Sequence, residues 1–228
     1  MKFTKLLLKS INNRRDGYHL ASKYWQDYKN NLPLLPQHLL EVLVGIVLGD
    51  ASMSKVSKEA YVKFEQGYTQ ERFVEHLFEL FKQYCFILQT GTRIEKHCPR
   101  KGLVKSFWFK TFSHKSFTEV WKIFYITGKK TIQPGLVIKY VTRKSLAYWI
   151  MCDGSLNGNT MILHTQSYSH SENILLSLEL NQKFDLHSQV IKHKGKYWVI
   201  KIPSEDAKLL RSLIAPYIIP SMEYKLPK

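Results

Sequence analysis

Leu43-Val44-Gly45-Ile46-Val47-Leu48-Gly49-Asp50-Ala51 is an apolar run closed by one carboxylate and a small residue. The chain carries a second version of it, Leu146-Ala147-Tyr148-Trp149-Ile150-Met151-Cys152-Asp153-Gly154. Each run is too short to cross a bilayer, so it reads as a helix buried everywhere except at its last turn. Gly45 and Gly49 are four apart and share one face, which they leave almost flat. Glycine inside a helix costs roughly 0.5–1 kcal/mol relative to alanine, so two on one face call for a second backbone packed closely there. In the matching run Cys152 stands opposite Gly49 and Tyr148 opposite Gly45. Asp50 and Asp153 each end a helix at its negative pole, where a lone carboxylate is disfavoured by roughly 0.3–1 kcal/mol. A cation relieves that cost.

Outward from the first run, Pro36 fits the first turn of its helix, and Pro33 and Pro36 close a short helix predicted over Leu20 to Asn30. After Asp50 the residues read as a polar loop. Strands follow at Tyr61 to Tyr68, Gln89 to His97 and Lys105 to Phe112, with helices at Glu71 to Phe86 and Lys115 to Ile126. Residues 133–141 read as a connector, and Thr142 as the N-cap of the second motif helix. Beyond Asp153 the order returns: strand Thr160 to Tyr168, helix Ser171 to Phe184, strands His187 to His193 and Lys196 to Pro203, and helix Glu205 to Tyr217. Gln66, Tyr68 and Glu79-Leu80 recur 100 positions later as Gln166, Tyr168 and Glu179-Leu180, and Phe107-Trp108 resembles Tyr197-Trp198. The chain is therefore an internal duplication of class α+β. It has two pseudo-symmetric αββαββα halves that meet through the motif helices. The expected division is a basic lead-in over 1–35, a first half over 36–132, a linker over 133–141 and a second half over 142–228.

Lysine and arginine number 34 against 18 aspartate and glutamate, a net charge of +16, and aromatic residues make up 13%. Such an excess points to a polyanion, and nucleic acid is preferred to a membrane because no long amphipathic basic helix stands out. Cys85, Cys98 and Cys152 lack the pairing of a zinc knuckle and argue against a disulfide framework. Met1 to Arg15 is basic and free of acid. It has two readings, a mitochondrial presequence and a basic arm that touches phosphates.

The paired runs, with Lys129-Lys130-Thr131-Ile132-Gln133-Pro134, Ser145-Leu146-Ala147-Tyr148-Trp149, His164-Thr165-Gln166-Ser167-Tyr168 and Tyr224-Lys225-Leu226-Pro227, resemble the single-chain, two-motif type of the LAGLIDADG homing endonuclease family. The resemblance runs from about residue 23 onward. It implies an enzyme whose two sheets form a DNA-binding saddle, and which cuts both strands of a duplex across the minor groove to leave short 3′ overhangs and start intron mobility. It also implies a protein encoded in a mitochondrion or chloroplast, which favours the basic-arm reading of Met1 to Arg15. Lys130 and Lys225 align with the family's active-site lysines, and the backbone carbonyls of Gly49 and Cys152 join Asp50 and Asp153 as expected metal ligands. Two like charges at one axis need a proton or a cation between them. Magnesium suits so few carboxylates, because it fills its remaining positions with water and substrate phosphates. Manganese is expected to substitute for it, and calcium to support binding only.

Gln166 is expected to orient a water or to pair within its sheet. In the first half the equivalent polar position falls on Lys63 or Gln66. The sixth motif position, often acidic in the family, is Leu48 and Met151 here. Period-two alternation turns Phe107 and Phe109 toward helices and leaves a polar face that fits the major groove. Lys63, Gln66, Arg93, Lys110, Gln166, Gln189 and Lys192 are the candidate readers of base edges or phosphates. Two unlike sheets imply a long asymmetric target read by a monomer. The other reading is a splicing cofactor, or maturase, whose basic sheets bind intron RNA.

Overall fold

A computed structural model describes His19, residues 22–97 and residues 99–228. The basic arm Met1 to Arg15, the predicted helix start at Leu20, and Cys98 lie outside the described residues. Among those described, the strands form two four-stranded antiparallel sheets, and the chain divides into two compact units. One unit contains residues up to Leu35 together with Ala51–Thr118, and the other contains Pro36–Asp50 with Glu119–Lys228. The first motif helix is thus grouped with the second half of the chain.

In the first unit, helix α1 (Lys23–Asn31) begins at Ser22, whose side chain accepts from the Trp25 amide. Its Trp25 is buried, with the ring edge-on to Phe86 at 4.9 Å. Strands β1 (Ser52–Val56), β2 (Glu59–Gly67), β3 (Gly91–Ile94) and β4 (Val104–Lys110) pair in the order β1-β2-β4-β3. Helix α3 (Glu71–Phe81) covers one face of this sheet. Phe73 meets Phe64 edge-on at 5.6 Å, and Phe78 and Phe81 pack on Phe109 at 6.1 and 6.4 Å. The expected alternation holds for Phe107 and Phe109, both buried. Where a polar loop is expected after Asp50, the structure has β1. Only Met53 of that strand is buried, so its hydrophobic alternation is too faint to read.

The second unit holds motif helices α2 (Gln37–Leu48) and α6 (Arg143–Asp153), with Thr142 capping the latter by accepting from the Ser145 amide. Helix α4 (Lys115–Phe124) crosses the boundary between the units. Strands β5 (Gly154–Asn157), β6 (Thr160–Leu163), β7 (Gln189–His193) and β8 (Tyr197–Ile202) pair as β5-β6-β8-β7, the same order as in the first sheet. Like β1, β5 replaces an expected loop. Helix α7 (His170–Phe184) begins with a full capping box between Ser169 and Glu172, and helix α8 (Ala207–Ile214) follows β8. Both halves therefore run α-β-β-α-β-β-α.

Residues 133–141, expected as a plain linker, contain the short helix α5 (Leu136–Tyr140). Five residues cannot hold a helix by propensity alone. Both of its ends are secured by α7: Glu179 accepts from the amides of Gly135, Val137 and Ile138, and Lys183 donates to the carbonyls of Val137 and Ile138. Glu79, which matches Glu179 in sequence, instead makes an exposed ion pair with Lys82. The Tyr68 and Tyr168 match is likewise one of position only. Tyr68 is exposed beneath the Arg100 guanidinium, whereas Tyr168 is buried.

Candidate active site

The motif helices lie side by side with their C-terminal ends together, because successive levels of one face successive levels of the other. Glu41 pairs with Lys144 at 3.8 Å, Gly45 faces Ser145 and Tyr148, and Gly49 faces Cys152. A Cβ at Gly45 would overlap the Ser145 carbonyl oxygen, and one at Gly49 would overlap the Cys152 Cβ. The flat face expected from the two glycines is therefore where the helices touch. Cys152 and Tyr148 occupy the opposing places expected for them.

This packing brings two negative helix ends and two carboxylates into one corner. Each end carries roughly half a negative charge. Two lysines answer them, one per helix. Lys130 Nζ donates to the carbonyls of Val47 (2.7 Å) and Gly49 (2.9 Å), and Tyr168 Oη donates to that of Leu48 (2.7 Å). Lys225 Nζ donates to the carbonyls of Ile150 (3.3 Å), Met151 (2.5 Å) and Cys152 (3.2 Å). Both ammonium groups are thus held as helix caps, away from solvent, and Lys225 is only 7% exposed. Burial pushes both lysines below their usual range, while the carboxylates of Asp153 and Asp50 push them back up.

The charges still do not balance. Asp153 is pushed up to about 7, by burial first and by the nearby Asp50 carboxylate second, even though Lys130 and Lys225 oppose the shift. The Trp149 indole N–H opposes it too, although it makes no hydrogen bond of good geometry. The Cys152 thiol is pushed well above its usual value by burial and by both carboxylates, which keeps it protonated and out of nucleophilic chemistry. Two carboxylates on a corner that retains net negative charge suit a hard divalent cation. Among the described residues no three His, Cys, Asp or Glu side chains form a metal cluster, so such an ion would depend on water and phosphate for most of its ligands. The carbonyls of Gly49 and Cys152, named above as further ligands, each already accept from a lysine.

Gln166 belongs to a string of hydrogen bonds near this corner. Its Nε2 lies 3.2 Å from His164 Nδ1, and His164 Nε2 lies 2.8 Å from Ser155 Oγ. An amide N–H donating to Nδ1 makes Nε2 the protonated ring nitrogen, so Nε2–H donates to Ser155. The His164 amide also donates to the Asp153 carbonyl at 3.0 Å. Ser155, His164 and the Tyr168 hydroxyl were not singled out from the sequence. His164 and Tyr168 stand in the segment quoted around Gln166, and Tyr168 also in the repeated pair with it, whereas nothing in the sequence pointed to Ser155.

Strand alternation sorts the candidate readers. Lys63, Arg93 and Lys110 share the face of the first sheet turned away from α3, where Lys63 is directly opposite Lys110 and Arg93 opposite Ser106. Gln66 is opposite the buried Phe107, on the helix side. In the second sheet Gln189 is opposite Lys201 on the outer face. Lys192 is opposite Trp198, whose ring stacks on His170 of α7 at 3.9 Å, so it belongs to the helix side. This also corrects the match of Phe107-Trp108 with Tyr197-Trp198: Trp108 faces outward over Gly91 and Trp198 faces inward, one residue out of phase.

The match to known proteins follows the same lines. The model of the LAGLIDADG DNA endonuclease family matches residues 40–210. "Probable intron-encoded endonuclease 1" of Wickerhamomyces canadensis is 33% identical over 97% of this chain and 98% of its own length. "Cytochrome b mRNA maturase bI2" of Saccharomyces cerevisiae is 29% identical over 97% of this chain but only 55% of its own. Among solved structures, the homing endonuclease I-WcaI bound to its DNA recognition sequence is 33% identical. It superposes with a TM-score of 0.84 over 92% of this chain and 95% of that one. This chain belongs to the LAGLIDADG DNA endonuclease family.

Proposed function

We propose that this chain is a site-specific homing endonuclease, acting as a monomer in the organelle that encodes it. It hydrolyses both strands of a long asymmetric DNA site with magnesium, leaves 3′ overhangs, and so starts intron mobility. The observation that carries this reading is the corner where two motif helices end in Asp50 and Asp153, each end capped by its own lysine. Binding DNA alone does not call for both carboxylates and both lysines together at one corner.

Asp50 and Asp153 would hold the metal. When bound, it supplies a water of lowered pKa and a Lewis acid for phosphoryl oxygen. The rest of the work falls to the chain's own side chains. Lys130 and Lys225 are fixed by two and three carbonyls, and they present positive charge where negative charge grows on the phosphate, without having to reorganise. Gln166, held at its amide nitrogen by His164, keeps its carbonyl oxygen as an acceptor that can orient a water. The outer face of each sheet offers the polar side chains that position and read the duplex. Manganese takes the place of magnesium in this scheme, and calcium supports binding without cleavage.

The test is cleavage of a DNA library with random inserts by the purified chain in magnesium, beside Asp50→Asn. One long site cut on both strands by the wild type, and left intact by a variant that still binds it in calcium, is the expected result. An Asp50→Asn protein that cuts as well as the wild type overturns the assignment. The relative named as a cytochrome b mRNA maturase favours a second reading, in which the chain binds intron RNA and assists splicing. Tight magnesium-independent binding to a folded intron transcript, with no DNA cut, would decide for it.

A further inference from the structure

The outer face of the first sheet contains one acidic side chain surrounded by basic ones, and its contacts are unusually complete. Glu65 Oε1 is 2.7 Å from Arg93 Nε and accepts from Ser106 Oγ at 2.7 Å, while Oε2 is 2.8 Å from Lys63 Nζ. Burial alone would raise this carboxyl, but the hydrogen bonds from Lys63 and Ser106 and the charges of Lys63 and Arg93 hold it below the usual range. Both of its oxygens are committed, so Glu65 is a support and not itself a reader of cytosine amino groups.

The support acts on Arg93 in a particular way. The carboxylate takes the Nε edge of the guanidinium, so the two terminal nitrogens project as a free fork. Next to Arg93 the register shifts: Arg93 is opposite Ser106 but Ile94 is opposite Val104, so Lys105 is an extra residue on β4, a bulge that increases the local twist there. The other outer position on β3 is Gly91, and it is covered: a Cβ there would lie 2.5–2.8 Å from three atoms of the Trp108 indole. Arg93 is therefore the side chain that β3 projects, and it is half exposed. A phosphate contact needs a positive charge but no fixed fork. Two parallel N–H groups held in one plane match the O6 and N7 acceptors of guanine in the major groove.

We infer that Arg93, braced by Glu65, reads one guanine in the DNA site. The inference rests on the endonuclease reading only in taking duplex DNA as the partner, and it assigns a base that this reading leaves open. The experiment is enrichment from a pool of randomised duplexes by the full chain in calcium, with wild type, Arg93→Lys and Glu65→Gln in parallel. The wild type should enrich a site with one base pair at which guanine is preferred by about 5- to 150-fold. Arg93→Lys should weaken that preference at that base pair alone, because an ammonium can still reach O6 or N7 but lacks the planar fork. Glu65→Gln should weaken it, and should have no further effect when combined with Arg93→Lys. Unfolding curves that overlay for all three proteins would exclude a loss of fold. A profile unchanged in Arg93→Lys, or an equal loss of affinity for every sequence, overturns the guanine assignment while leaving the endonuclease reading intact. A wild type that enriches no duplex overturns both.

Discussion

Asp153 links stability to pH in a direction opposite to most surface carboxylates. Its ordinary value is 3.8, and in the folded chain it is pushed up to about 7. Between those two pH values the folded state keeps a proton that the unfolded state has lost. Stability from this group is therefore highest at low pH, falls as pH rises through that window, and levels off above about 7. The full difference is on the order of 2–4 kcal/mol. Asp153→Asn should remove this part of the pH dependence, making the variant more stable than wild type at pH 8 and about equal at pH 4. Urea midpoints in EDTA across pH 4–8 measure it, and parallel curves for the two proteins would refute it. Magnesium at pH 8 should raise the wild-type midpoint and leave that of Asp153→Asn nearly unchanged, because the ion supplies the positive charge that the corner lacks.

At the scale of elements, the contact between α2 and α6 depends on the absence of a side chain. Alanine at position 45 would be the better helix former by roughly 0.5–1 kcal/mol. Its methyl group, however, would overlap the Ser145 carbonyl, which as backbone cannot rotate away. Gly45→Ala should therefore be a net loss of about 1–3 kcal/mol, in the range of other overpacked cores. Gly49→Ala meets the Cys152 side chain instead, so Cys152→Gly should recover part of its loss. Denaturant midpoints of the three variants test both statements, and a stabilised Gly45→Ala would show that the helices do not touch there. These helices were legible in the sequence because spacing, glycine placement and the second copy all pointed the same way. The strands β1 and β5 were not, since neither has enough buried residues to show a period of two. Helix α5 could not be read from its own residues at all, because Glu179 and Lys183, some forty positions away, supply its caps. The catalytic candidates show the same division. Asp50, Asp153, Lys130 and Lys225 sit in motifs and were named, whereas the contact of Ser155 with His164, the residue that holds Gln166, exists only once β5 and β6 pair.

For the molecule as a whole, a charge of +16 says that duplex binding will weaken steeply with salt, and the two sheets indicate how that dependence is distributed. The outer face of the first sheet includes Lys63, Arg93 and Lys110, but Glu65 already neutralises part of Lys63 and Arg93. Lys110 has no carboxylate partner among the described residues; its Nζ lies 3.8 Å from the Tyr61 ring centre, which holds the charge outward without cancelling it. On the second sheet Gln189 is exposed and uncharged. A lysine that contacts phosphate releases about one counterion, while a glutamine that reads a base releases none. Lys110→Met should therefore weaken binding to all duplexes alike and reduce the slope of log K against log salt by about 1. Gln189→Ala should leave the slope unchanged and relax sequence preference at one base pair. Fluorescence anisotropy between about 50 and 200 mM salt, on the enriched site and on a scrambled duplex, distinguishes the two. If Lys110→Met keeps the wild-type slope and loses discrimination at a single base pair, Lys110 is a reader, and the division of labour argued from Glu65 is wrong for that strand.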